Sequence, residues 1–281
     1  MTSLAVSSAS AEERSRGLRL RIRGICQGVG LRPWVFRTAH RLAIGGTIRN
    51  LRDGVAVEAF GSAAALAALE RALREAPPAG ARLEAITSEE IPARPMQAFR
   101  IVASAQTGAQ RPTLVPDLPT CPDCLAELAR PGDRRHGYAL LTCCACGPRY
   151  TLARTLPFDR AGTAMADFPL CEACRDEYRQ PESRRFHAQT LACAACGPRL
   201  SLRNPAGEAC RASDPVAEAA RELRAGAVLA IKGVGGFHLA CMADDAAAVR
   251  RLRAAKRREA RPFAVMVQDL DTARHLARVD P

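Results

Sequence analysis

Eight of the twelve cysteines fall in a pattern whose chemistry is metal ligation. Cys121-Pro122-Asp123-Cys124 is followed, after eighteen residues, by Cys143-Cys144-Ala145-Cys146. Twenty-four residues later Cys171-Glu172-Ala173-Cys174 opens a second set, and after another eighteen residues Cys193-Ala194-Ala195-Cys196 closes it. A Cys-x2-Cys turn aims two sulfurs at one ion, and two such turns complete a tetrahedron with no position left for water. The expectation is two structural Zn2+ sites, each with four thiolates. Spacing alone leaves open whether each ion is held within one repeat or across the two. The repeated spacing, the pairs Arg134-Arg135 and Arg184-Arg185, and the tails 147–149 and 197–199 (Gly-Pro-Arg in both) mark an internal duplication. With eight thiolates present, His187 is read as a non-ligand. Cys26, Cys144, Cys210 and Cys241 are read as buried or incidental thiols.

A second stretch with chemical potential lies near the start. Gln27, Gly28, Val29, Gly30, Leu31 and Arg32 form a glycine-rich loop, and Pro33 marks the helix after it. Such a loop offers backbone N–H groups and the positive end of a helix to a phosphate, and an arginine at its end grips two oxygens. The third glycine of a dinucleotide fingerprint is missing.

The elements that must position these residues follow from periodicity. Alternation over 18–23 predicts a half-buried strand, and a helix spans 33–43. Strands at 48–51 and 55–60 flank the turn Arg52-Asp53-Gly54. An alanine-rich helix covers 63–75, and strands lie near 83–90 and 99–102. The order is βαββαβ, a ferredoxin-like arrangement. Residues 1–16 lack periodicity and read as an unstructured tail, and 108–119, with three prolines, as a linker. Beyond Cys210 a helix is expected after Asp214-Pro215 to about 225, then a strand over 227–231. The second glycine-rich loop, 232–239, comes next, then a helix from Asp244 to about 257 and a buried strand over 261–267. The overall class is α+β and multidomain, with an α/β final unit.

The chain has 281 residues and a formal charge of +12, with only two lysines, Lys232 and Lys256. Eight thiolates and two divalent ions would lower this charge to about +8. The arginine excess suits phosphate-bearing ligands and nucleic acid alike. Aromatic residues are only 4%, which disfavours a base-stacking surface. No apolar run reaches the roughly 18 residues of a membrane span, so no membrane partner is expected. Twelve cysteines with no secretion signal suggest a reducing cytoplasm.

Residues 27–32, with Gly46-Thr47-Ile48-Arg49-Asn50 and Asp53-Gly54, resemble the acylphosphatase signature, departing from it at Leu31 and Thr47. That resemblance implies that Arg32 holds the phosphate and Asn50 orients the attacking water. Taken with the cysteine frame and residues 232–241, the chain from about Arg19 onward resembles the amino-terminal part of the hydrogenase maturation carbamoyltransferases, the HypF family. The family implies an acylphosphatase-like domain (17–107), a double zinc-finger-like domain with four cysteines per finger (120–203) and the beginning of a YrdC-like nucleotide-binding domain (213–281). Lys256 and Arg258 match the motif that contacts nucleotide phosphates, Arg261 stands where lysine is usual, and Lys232 and His238 line the same pocket. Carbamoyl phosphate as substrate, ATP with Mg2+, and transfer to a cysteine of a HypE-type partner follow from the resemblance. It also implies that family members continue well past Pro281, so this portion is expected to lack the transfer step. A rival reading is a zinc-containing RNA- or tRNA-binding module, since YrdC-like domains also serve tRNA modification.

Overall fold

The computed structural model describes residues 15–108, 116–233 and 236–280. Most of the expected tail and linker therefore lies outside the described residues. The chain divides into two compact units, Met1–Arg199 and Leu200–Pro281.

In the first unit the strands are β1 (Arg16–Ile25), β2 (Gly45–Leu51), β3 (Gly54–Gly61), β4 (Arg82–Ile91) and β5 (Phe99–Ile101), with helices α1 (Leu31–Arg41) and α2 (Ala63–Glu75). Sheet order is β4-β1-β3-β2-β5. β3 runs antiparallel between β1 and β2, and β5 adds a short parallel edge beside β2. This is the ferredoxin-like arrangement. Alternation along β1 buries Leu20 and Ile22 fully and leaves Arg21 and Arg23 outside. Leu66, Leu69 and Leu73, at three- and four-residue intervals on α2, close over that face with Val35 and Ala39 of α1. The Ser62 hydroxyl caps α2 by accepting from the Ala65 N–H at 3.2 Å. α1 begins at Leu31, two residues before Pro33, because the left-handed Gly30 ends the loop there.

The finger segment belongs to the same compact unit, which joins two domains that the sequence separates. Its two repeats are offset by 50 residues. Each opens on a short helix, α3 (Pro122–Ala129) or α4 (Glu172–Arg179), whose N-cap is the first cysteine of its set. Phe36 of α1 meets Phe186 edge-on at 5.1 Å, and Arg37 donates to the Pro181 carbonyl at 3.2 Å. The finger thus lies along the first helix of the phosphate-loop fold.

The second unit contains α5 (Pro215–Arg224), a hairpin of β6 (Leu229–Gly233) and β7 (Gly236–Ala240), α6 (Ala246–Lys256) and α7 (Leu270–Leu276). Asp214 and Asp245 cap α5 and α6 through their carboxylates. Two expectations fail here. Residues 236–239, expected as part of a glycine-rich loop, lie instead in β7, paired with β6. Residues 261–267 form no strand and are largely exposed, Met266 almost completely. A strand exists only where a neighbour receives its N–H and C=O groups, and the described part of this unit supplies two strands paired with each other. Only Ala248 and Leu252 are buried apolar side chains among the described residues of this unit.

Candidate active site and metal centres

Residues 26–30 carry the chain from β1 into α1, and the loop depends on backbone shapes that favour glycine. Gly28 and Gly30 have φ of 66° and 79°, a region costly for residues with a Cβ. The first turn of α1 then presents N–H groups that have no partner within the helix. Arg32 lies in that turn, nearly buried, and Asn50 near the end of β2 is fully buried. Asn50 shares the core-facing side of β2 with Ile48, two residues earlier. The structure therefore brings together the phosphate loop and both residues named from the sequence as catalytic. Leu31, a departure from the signature, is buried in the core.

Gln27 acts as a brace. Its amide nitrogen donates to the carbonyls of Leu51 (2.6 Å) and Gly54 (2.9 Å), and its oxygen accepts from the Phe158 N–H at 2.8 Å. One side chain thereby holds the phosphate loop, the β2–β3 turn and a finger residue in register.

The finger makes further contacts that sequence reading missed. The Phe158 carbonyl accepts from Asn50 Nδ2 at 3.3 Å and from Arg32 Nη2 at 3.4 Å, and Asp159 Oδ1 lies 2.8 Å from Arg32 Nη2. Because a carbonyl only accepts, Asn50 must turn its NH2 toward Phe158. Asn50 Oδ1 is left buried and without a partner. An orphaned buried acceptor is costly. Arg149, in the tail of the first repeat, is 2% exposed. It donates to the Gly28 carbonyl and to those of Cys143 (2.6 Å) and Cys144 (3.2 Å). It thus ties the glycine-rich loop to the second Cys-x2-Cys turn of the first tetrad. Nothing in the spacing marks Phe158 or Asp159, which fall between the repeats. Arg149 stands in the duplicated tail with no sign of its partner. Arg149→Ala would take this donor from three carbonyls, the one of Cys143 buried and those of Gly28 and Cys144 part-buried. We expect it to lower stability by about 3 kcal/mol and kcat/KM for an acyl phosphate about tenfold or more, read by thermal melts and phosphate release.

The cysteines resolve into two tetrads, each within one repeat: Cys121, Cys124, Cys143 and Cys146, and Cys171, Cys174, Cys193 and Cys196. Neighbouring sulfurs lie 3.5–3.7 Å apart in the first and 3.7–3.8 Å in the second. Four sulfurs at about 2.3 Å from a central zinc are spaced by roughly 3.8 Å, so donor type, number and spacing all fit Zn2+. Burial pushes the Cys26 thiol up to about 12 and that of Cys144 up to about 11, so both stay neutral thiols. Cys210, by contrast, is exposed. His187 joins neither tetrad, and burial, reinforced by the Arg32 charge, lowers its pKa to about 4.

The arginine pairs cross between the repeats. Arg134 and Arg135 of the first repeat reach Cys174 at 3.2 and 3.5 Å and pair with Glu177 at 3.2 and 2.5 Å. Arg184 and Arg185 of the second reach Cys124 at 3.0 and 3.8 Å and pair with Glu127. The carbonyls of Ala192 and Thr142, equivalent in the duplication, accept from Arg135 and Arg185 at 2.9 Å each. A zinc tetrathiolate carries a net charge of about −2, so each cluster is neutralised by cations from the other repeat. Glu127 and Glu177 were legible in principle, since both stand three residues after the second cysteine of their set. Burial raises the Glu127 pKa, but the hydrogen bonds and charges of Arg185 and Arg184 outweigh it and hold the value at about 2. A folded-state pKa below the unfolded value stabilises the fold above the unfolded pKa. This contribution is therefore lost as pH falls from about 4.5 toward 2.

In the second unit, register pairs Lys232 with Phe237 and Ile231 with His238. Lys232 Nζ sits 5.0 Å from the Phe237 ring centre, so Lys232 and His238 occupy opposite faces of the ribbon. Lys256 ends α6, and Arg258, just beyond it, lies 5.5 Å from the Phe263 ring centre. The structure does not bring Lys232 and His238 to one face. No described helix is long and apolar enough to cross a membrane.

Comparison with known proteins matches three segments of the chain. The acylphosphatase family model matches residues 18–101, the HypF finger model 120–153 and 170–203, and the Sua5/YciO/YrdC model, described as telomere recombination, 221–281. Carbamoyltransferase HypF2 of Cupriavidus necator is 53% identical over 263 residues, covering 92% of this chain and 32% of that protein. Carbamoyltransferase HypF of Rhodobacter capsulatus is 47% identical over 264 residues, 92% of this chain and 34% of that protein. The crystal structure of full-length HypF in the phosphate- and nucleotide-bound form superposes with a TM-score of 0.89 at 39% identity, over 95% of this chain and 35% of that one. An acylphosphatase of Burkholderia lata is 41% identical over 87 residues, 30% of this chain and 87% of that protein. The chain spans about a third of the length of the HypF proteins it matches. The first part of this chain belongs to the acylphosphatase family, and together with two cysteine tetrads in duplicated repeats and a segment matching the YrdC model it is similar over most of its length to HypF carbamoyltransferases.

Proposed function

We propose that this chain hydrolyses carbamoyl phosphate as the first step of a carbamoyltransferase serving the maturation of nickel–iron hydrogenase. The observation that carries the reading is Asn50 Oδ1, buried and unpartnered beside the phosphate loop and Arg32. Backbone N–H groups of residues 28–31 and the Arg32 guanidinium neutralise the phosphoryl oxygens. A water accepted by Asn50 Oδ1 is held for attack on phosphorus, with its approach fixed by the strand that carries the asparagine. A new P–O bond forms, the bond to the carbamoyl oxygen breaks, and carbamate leaves with the electron pair. Both protons of the water stay with the phosphate, giving dihydrogen phosphate. Carbamate is a weakly basic leaving group and needs no general acid.

Across the family the carbamate would next meet ATP and Mg2+ at the YrdC-like unit and pass to a cysteine of a HypE-type partner. Lys256 and Arg258, with either Lys232 or His238, are the residues of this chain proposed to meet the nucleotide phosphates. The chain by itself is proposed to perform the hydrolytic step only, and to do so in the cytoplasm. The arginine pairs of the finger are turned onto the opposite repeat, which takes them away from any nucleic-acid-binding face.

The test is phosphate release from carbamoyl phosphate. Arg32→Ala is expected to lower kcat by about 10²- to 10³-fold, the effect of removing one preorganised charge-stabilising donor, and Asn50→Ala by a similar factor. Wild-type rates in Arg32→Ala would end the assignment.

A further inference from the structure

The glycine-rich loop, Arg32 and Asn50 stand on one side, and the segment between the two cysteine repeats packs directly against them. The Phe158 carbonyl and the Asp159 carboxylate stand against Arg32 and Asn50. Residues 18–101, which match the acylphosphatase model, contain neither. The segment is a fixed wall. Phe158 is 1% exposed, and its N–H is held by Gln27. Arg160 is pinned as well: its backbone N–H donates to Gln189 Oε1 at 2.8 Å. Its guanidinium donates to the carbonyls of Gln189, Leu191 and Phe168 at 2.9, 2.8 and 2.5 Å.

This wall offers acceptors only, one of them anionic. A phosphate seated on Arg32 would bring the acyl end of its substrate against it. An acetyl group would press a methyl on a carbonyl and a carboxylate, stripping their water and returning no hydrogen bond. The carboxylate would also repel the phosphate of every substrate. A carbamoyl group has two N–H donors at that end, which would take the place of the Arg32 N–H groups on both acceptors once the guanidinium turns to the phosphate. Sites built around a substrate N–H discriminate strongly against analogues that lack it.

We propose that Asp159, together with the Phe158 carbonyl, is the specificity determinant that selects carbamoyl phosphate over simple acyl phosphates, so that the finger module sets the substrate of the phosphatase fold. This rests on the reading that Arg32 and Asn50 hydrolyse an acyl phosphate.

The experiment measures kcat/KM for carbamoyl phosphate and for acetyl phosphate with the full, zinc-loaded chain. Wild type, Asp159→Ala, Asp159→Asn and Arg32→Ala are compared. Asp159 is about one-third exposed (32%), so truncation removes no core packing, and zinc content and melting verify the fold of each variant. Asp159→Ala should lower carbamoyl phosphate turnover about 10- to 100-fold, the range for a lost hydrogen bond to a charged group. It should at the same time raise acetyl phosphate turnover, because the repelling charge is gone. Asp159→Asn, which keeps an acceptor oxygen, should fall between. A wild type that does not prefer carbamoyl phosphate would overturn the proposal. So would a rise with both substrates and tighter inhibition by inorganic phosphate, since Asp159 would then be a plug. A parallel fall with both would make it a brace for Arg32 alone and would overturn the proposal equally. If Arg32→Ala retains wild-type rates on both substrates, the hydrolytic reading itself fails, whatever the substrate ratio does.

Discussion

Removing both zinc ions with a high-affinity chelator is expected to abolish acyl phosphate hydrolysis, although neither tetrad touches the phosphate pocket. Structural zinc contributes on the order of 10–16 kcal/mol to the folding of small thiolate modules, as much as or more than the net stability of about 5–15 kcal/mol typical of a domain. The finger around each ion has little else to hold it. Nearly half of the side chains in its apolar clusters are the cysteines themselves, beside neighbours such as Tyr138, Leu141, Met165 and Leu191. Without metal, Arg149 loses the knuckle that aims it at Gly28, and Phe158 leaves Asn50. The β-sheet part has its own continuous core and should stay folded. Circular dichroism should therefore show a partial loss, with phosphate release falling by roughly 100-fold or more, the effect of losing the alignment of the reacting groups, and returning on zinc readdition. Full activity in metal-free protein with freely titratable thiols would contradict the pocket described above.

The second large effect concerns the crossed arginines. Arg185→Ala should destabilise the finger by about 3–5 kcal/mol, the cost of breaking one side of a buried ion pair. Arg184 remains on Glu127, which places the expectation at the lower end. The location of the damage is the sharper test. Arg185 belongs to the second repeat, yet its loss should release zinc first from Cys121, Cys124, Cys143 and Cys146, whose cluster it neutralises. Arg135→Ala should do the reverse, exposing Cys171, Cys174, Cys193 and Cys196. Alkylation under limiting chelator, mapped by mass spectrometry, reads which thiols open first. If each substitution opened its own repeat, the crossed contacts would carry no weight in metal retention.

This exchange explains why the duplication is kept as a pair. One repeat alone would leave a doubly negative cluster without its cations, and its own arginine pair without a carboxylate. The two ions are thus expected to be lost together, and the contacts on the loop with them, since Arg149 of the first repeat holds the Gly28 carbonyl and Gln189 of the second holds Arg160, next to Asp159.

Much of this was legible in the sequence because the signals were local. Cys-x2-Cys spacing determines a metal knuckle through the geometry of a few bonds. Alternation along β1 and the three- and four-residue leucine spacing on α2 follow from the periods of strand and helix. Glycine before Arg32 reports a backbone shape that other residues resist, so the loop and the eight cysteines are read from local signals, whereas the roles of Arg32 and Asn50 come only from the resemblance to the acylphosphatase signature. Residues 261–267 show the limit of that approach: an apolar run has strand character, but a strand also needs a neighbour, and β6 and β7 pair with each other. Likewise the glycines after Lys232 suggest a phosphate loop, where register instead puts Lys232 and His238 on opposite faces. What only the tertiary structure decided was which distant groups meet. Asp159 lies 127 residues from Arg32, Arg149 lies 121 from Gly28, and Arg185 lies 58 from Glu127. No periodicity encodes such encounters, because they depend on how a folded finger settles against a folded sheet.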